Sequence, residues 1–195
     1  MAASVERLWG YALTRMRIAE DQARRDIDFP GHITEHTAKN VSREQIESDL
    51  LHNENGSYGR LRAVMDAWNA LWFWPLDKVD ELPEIDEWIA GLQALLGEAR
   101  RAKPSERAQF EIGQDPSWEE ISVAEEFYLR FNMARSLDRA HAEHPWLVTA
   151  REVASEQGFF HWELDFAAVF ARGGFDFQVG NPPWVRPTIN LDELL

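Results

Sequence analysis

The chain has no cysteine, which excludes disulfides and thiolate metal ligands and fits a reducing cytoplasm. It also has no apolar run near the roughly 18 residues that a membrane-spanning helix requires. The longest apolar patch, Ala70-Leu71-Trp72-Phe73-Trp74-Pro75-Leu76, is too short for that and reads as core. Met1 to Arg7 leads into an amphipathic pattern without an apolar signal core, so a cytoplasmic location is expected. Positive charge is scarce: 20 Lys and Arg stand against 34 Asp and Glu, a net charge of −14. Nucleic-acid affinity rests on Lys and Arg neutralising phosphates, so the chain alone is expected to bind DNA poorly.

What is present describes a folded domain. Apolar residues make up 45% of the 195, and nine Trp and eleven Phe supply much burial per side chain. No internal repeat or low-complexity tract is seen. Apolar residues recur every three or four positions over 3–29, where Val5, Leu8, Trp9, Ala12, Leu13, Met16 and Ala19 form a stripe that Pro30-Gly31 ends. Ser42 with Gln45 forms a capping box for a helix to about His52, and Asn53 to Ser57 is a loop. A third helix runs from Tyr58 to Trp74 and stops at Pro75, with Trp68, Trp72, Phe73 and Trp74 expected as buried packing. A fourth starts near Pro83 and continues to about Arg100, and Lys103-Pro104-Ser105 reads as a linker. Asp115 as cap and Pro116 as first helical residue begin a helix expected to reach Ala142, and Trp146 to Gln157 forms the last, closed by Gly158.

Several polar groupings have a plain structural reading. His32 and His36, four apart, would share a helix face, as would His141 and His144, three apart; neither pair has an evident third metal ligand. Glu119, Glu120, Glu125 and Glu126 read as a solvated acidic face near a helix start. Arg15, Arg17, Arg24 and Arg25 are interleaved with Glu20, Asp21, Asp26 and Asp28 and read as solvated helix surface.

Strand character enters only after residue 158. Phe175, Phe177 and Val179 alternate with Asp176 and Gln178 between Gly174 and Gly180, which predicts a short strand over about 175–179. Pro182 and Pro183 then fix two φ angles and remove two donors, so pairing cannot continue. The resulting stiff loop offers the Asn181 amide, the carbonyls of Asn181 and Pro182, and the flat face of Trp184. Such a loop suits a planar, amino-bearing ring: the indole stacks on its face while the oxygens accept its amino hydrogens. The expected fold is mainly α, a bundle-like helical unit over 1–157, with a strand-loop segment over 158–195.

Asn181-Pro182-Pro183-Trp184 resembles the Asn/Asp-Pro-Pro-aromatic motif of DNA methyltransferases that act on exocyclic amino groups. The run Phe159 to Phe166, with Val169-Phe170, is similar to the approach to that motif in the large adenine-specific enzymes of restriction and phage-defence systems. The likeness is specific over about 158–187, and Leu61 to Pro83 resembles more loosely part of their helical insertion. It implies a fragment of a class I methyltransferase α/β domain, a flipped adenine held in the loop, and S-adenosylmethionine as methyl donor. By the same resemblance Asn181 and Pro182 would be the catalytic acceptors and Trp184 the stacking residue, with Pro183, Asp176 and Gly180 supporting the loop. The adenine nitrogen, its lone pair localised, would attack the sulfonium methyl in line. Arg186 could touch a phosphate or lie on the surface.

The likeness is incomplete. No two glycines are spaced two apart, so the glycine-rich cofactor loop of these enzymes is missing, as are alternating strands and helices. The chain also ends at Leu195, short of the later strands and a DNA-recognition domain. The expectation is therefore a partial enzyme, inactive alone, acting on DNA with the remaining methyltransferase segment or subunit. The competing reading is a helical protein-interaction module in which the Pro-Pro segment is a docking turn.

Overall fold

A computed structural model describes residues 1–23, 41–98 and 100–181. It is mainly helical, as expected. Its helices are α1 (Ala2–Ala23), α2 (Arg43–Ile46), α3 (Ser57–Ala70), α4 (Ile85–Leu96), α5 (Pro104–Phe110), α6 (Trp118–Phe131), α7 (Leu137–Glu143), α8 (Trp146–Gln157), α9 (Trp162–Asp165) and α10 (Ala167–Phe170). α2 runs on as a π-helical turn, Glu47–His52, and α3 as a 3-10 turn, Leu71–Phe73.

α3 is the shared wall of two hydrophobic cores. Its first turns put Tyr58 and Leu61 into a cluster with Leu8 and Tyr11 of α1, Phe110 of α5, and Trp118, Ile121 and Tyr128 of α6. Its last turns put Ala67 and Ala70 against Leu95, Leu137, Trp146, Leu147, Ala150 and Val153 of α4, α7 and α8. Alanines at facing positions let α3 and α8 approach closely, and this is a principal helix pair of the fold.

Buried polar groups join these layers. Arg60 donates from Nε to Asn55 O at 2.6 Å and from Nη1 to Leu95 O at 2.6 Å and Arg135 O at 2.7 Å. Three chain reversals are thus tied to one side chain, whose burial pulls its pKa down to about 10. Arg15 and Glu125 form an ion pair at 2.7 Å, with side chains only 4% and 7% exposed. Glu125 also accepts from the backbone N–H of Ser57 at 2.5 Å and from the Ser57 hydroxyl, so it caps α3 from another helix.

Several sequence expectations are corrected. Arg15 and Glu125 are not solvated: Leu8, Tyr11, Arg15 and Ile18 share the inward face of α1, and Glu125 lies on the inward face of α6. The helix expected over 115–142 is two helices. Ser117, not Asp115, caps α6, and its amide donates to Glu120 Oε2 at 2.7 Å. The chain then breaks at Asn132 and Met133, where Met133 has φ 55° and Arg135 N donates to Ala94 O at 2.8 Å. Gly97 (φ 80°) makes this elbow possible, since a Cβ there would meet Asn132 Cβ at 2.8 Å. The expected linker at 103–105 instead opens α5, with Pro104 in its first turn and Lys103 N bonded to Glu106 Oε2 at 2.7 Å.

The aromatic cluster also departs from expectation. Trp68, Trp72 and Phe73 are 57%, 78% and 53% exposed, and only Trp74 is buried. Tightening of the last turn at Leu71–Phe73 rotates Trp72 and Phe73 outward, and the Trp74 indole donates to Lys78 O at 2.8 Å. His32, His36, Arg24, Arg25 and the end of the first predicted helix lie outside the described residues.

Candidate functional site

The segment that leads to Asn181 leaves α8 at Gly158, whose left-handed conformation ends the helix. It then crosses the outer face of α3 toward α1, and three contacts fix its path. His161, 3% exposed, places Nε2 2.6 Å from Asp66 Oδ1 on α3. Asp165 receives the Tyr58 hydroxyl at 2.5 Å on Oδ1 and the His161 backbone N–H at 3.0 Å on Oδ2. Leu164 and Ala167 are buried in the first core and against α1. Burial, reinforced by the hydrogen bond to Asp165, pushes the Tyr58 phenol up to about 12. Farther on, Arg172 pairs with Glu20 of α1 at 3.1 Å.

The other face of the segment is an aromatic cluster. Phe166 has ring contacts at 5.7 Å to Phe160, 5.5 Å to Trp162 and 5.2 Å to Phe175. Phe175 reaches back to this cluster because Gly173 and Gly174 turn the chain with φ of 103° and 110°. Phe160, Trp162 and Phe175 nonetheless remain substantially exposed. Beside them lies an apolar cleft of about 500 Å³, lined by Trp68, Trp88, Leu92, Phe160 and Trp162, with Asn69, His161 and Glu163 as polar groups.

Beyond Phe175 the chain lies on open surface. Phe177 and Val179 are 83% and 81% exposed, and Asp176, Gly180 and Asn181 are exposed as well. Residues 175–179 form no strand, and no strand occurs among the described residues. A strand needs a neighbour for its backbone groups, and the described residues provide none. Pro182, Pro183 and Trp184 lie outside the described residues, so of the predicted site residues the structure places Asp176, Gly180 and Asn181.

Among the described residues, no group of three His, Cys, Asp or Glu side chains could hold a metal ion. His144 instead pairs with Glu87 at 2.7 Å, and the half-buried His141 has its pKa lowered by burial and then by Arg151. No helix among the described residues is long and apolar enough to cross a membrane. Tyr58, Asp66, His161 and Asp165 hold the segment, yet hydrophobic periodicity marks none of them. The one local sign is the four-residue spacing of His161 and Asp165, which lets a carboxylate reach back to the first amide of the turn.

Residues 92–193, slightly more than half of the chain, match the family model described as Eco57I restriction-modification methylase. The match begins inside α4 and includes α5 to α10, the aromatic cluster and Asn181 to Trp184. No curated protein and no solved structure matches the chain.

Proposed function

This chain belongs to the Eco57I restriction-modification methylase family, and on that premise we propose that it carries the target-base segment of an adenine-specific DNA methyltransferase. Residues 1–157 act as the helical scaffold and 158–195 as the segment that meets the base. One observation carries the reading: the segment is pinned to the scaffold through His161, Leu164 and Asp165, while Asn181 at its far end is exposed. A fixed approach and an open tip suit a loop that must receive a flipped base.

In this reading Asn181 Oδ1 and the Pro182 carbonyl accept the two adenine amino hydrogens, and Trp184 stacks on the ring. The acceptors draw the amino nitrogen out of conjugation with the ring, and their fixed placement, rather than a strong base, lowers the barrier. Asp176, Gly180 and Pro183 keep the loop in shape. The exposed Phe177 and Val179 are the apolar face of a short strand that completes its pairing on a methyltransferase sheet.

S-adenosylmethionine supplies the methyl group in this chemistry, but the described residues do not fit it. They contain no strand running into a glycine turn, and the sequence has no Gly-x-Gly. Donor binding is therefore assigned to a complementing methyltransferase segment, with which the chain meets DNA. The test is transfer of labelled methyl groups to DNA by the chain reconstituted with such a segment. Asn181→Ala is expected to lower the rate about 100-fold while cofactor binding is kept. A variant within a few-fold of the unaltered chain would refute the role of Asn181, and transfer by the 195-residue chain alone would refute the assignment of donor binding.

A further inference from the structure

We propose that the cleft between the first turns of α1, the connection after α4, and α5 is a phosphate-binding site. Three arginines converge on it: Arg7 from α1, Arg100 from the connection and Arg107 from α5. Among the described residues none of the three forms an ion pair, although the chain carries a net charge of −14. Glu111 is the one carboxylate on the described wall of the cleft.

Two of the three guanidinium groups are held by rings instead of acids. Arg7 Cζ lies 5.4 Å from the centroid of Phe110, and Arg100 Cζ lies 5.8 Å from that of Phe131. Stacking fixes the plane of a guanidinium without neutralising it and leaves its N–H edge free to meet an oxyanion. Arg100 is further placed by Nη1 donating to Phe131 O at 3.4 Å and by its amide donating to Asn132 Oδ1 at 3.4 Å. Ser4 supplies a second, independent sign. Ser4, 1% exposed, is among the residues that line the same cleft, and its buried hydroxyl has no hydrogen-bond partner. A buried hydroxyl without a partner is costly unless a ligand uses it.

The cleft measures about 230 Å³, below the size of a drug-sized pocket and on the scale of one phosphoryl group with part of what it is attached to. The ligand is a phosphate oxyanion, either a nucleic-acid backbone phosphodiester or the phosphoryl group of a free small molecule. The inference stands whether or not Asn181 acts on a base.

Calorimetric titration of the 195-residue chain at low salt, with pyrophosphate and with a single-stranded tetranucleotide, separates the two sources. Saturable binding of the tetranucleotide identifies a backbone phosphate, and binding of pyrophosphate alone identifies a free phosphoryl ligand. Arg107→Gln, on an exposed side chain that the fold does not need, is expected to weaken binding at least about fivefold. For the tetranucleotide it should also reduce the logarithmic salt slope by about 0.7. Arg7→Gln with Arg107→Gln should weaken binding further, while Arg139→Gln, which removes a partner of Glu143, should leave it unchanged. Absence of binding by both probes, or equal binding by the Arg107→Gln chain, would overturn the proposal.

Discussion

Glu125→Ala tests whether a helix cap supplied across the core holds the scaffold together. Glu125 binds Arg15 at 2.7 Å and accepts from the Ser57 amide and hydroxyl, so truncation leaves a buried guanidinium and the first amide of α3 without their acceptor. Breaking a buried pair by removing one partner costs about 3–5 kcal/mol. Arg15 would keep its bond from Nη2 to Ser122 Oγ at 3.1 Å and its place 5.6 Å from the Trp118 ring. The lower end, about 3 kcal/mol, is therefore expected. For a domain whose total stability is about 5–15 kcal/mol, that is a large share. Urea denaturation followed by tryptophan fluorescence and far-UV circular dichroism reads it as a lower midpoint with an unchanged slope. Replacing both partners, Arg15→Met with Glu125→Leu, should restore most of the loss, because the desolvation of two charges is then avoided. A Glu125→Ala chain within about 1 kcal/mol of the unaltered protein would refute the reasoning, since an exposed pair is worth no more than that.

Alkaline stability should depend on Tyr58. Its folded pKa is raised from 10.0 to about 12, so its contribution is complete below pH 10 and is lost as pH rises toward 12, where the unfolded phenol ionises first. Tyr58→Phe should flatten the fall in stability across that window; an unchanged curve would contradict the buried bond to Asp165. Asp66→Ala removes the partner of the buried His161 ring at a local cost of about 1–3 kcal/mol. Hydrogen exchange should then quicken at the amides of Leu164 and Asp165 while the α3 and α8 amides stay protected, and uniform protection would show that Asp66 does not pin the segment.

The local parts of the fold were legible in the sequence because short-range signals set them. Ser42 caps α2 by accepting from Gln45 N at 3.1 Å, Pro75 stops the third helix, and Gly158 closes α8. The resemblance of Asn181 to Trp184 was legible for the same reason, since four consecutive residues carry it, and the family match includes them. Helical periodicity locates a stripe but does not say what faces it. It left Arg15 and Glu125 on the surface, where the packing of α1 against α6 pairs them in the interior. It placed Trp68 and Trp72 inside, whereas both are exposed, Trp72 because the last turn tightens at Leu71–Phe73.

The strand pattern at 175–179 shows the limit most clearly, because alternation marks residues able to pair while pairing itself needs a neighbour, and none is present among the described residues. The sequence alone determined the helical class, the helix ends marked by Ser42, Pro75 and Gly158, and the composition of the loop after Gly180. Only the tertiary structure decided which charges are buried, which aromatics are exposed, and that His161 and Asp165 anchor the path to Asn181. The reason is that capping and turn formation act over a few residues, whereas burial and ion pairing depend on contacts between residues about a hundred positions apart.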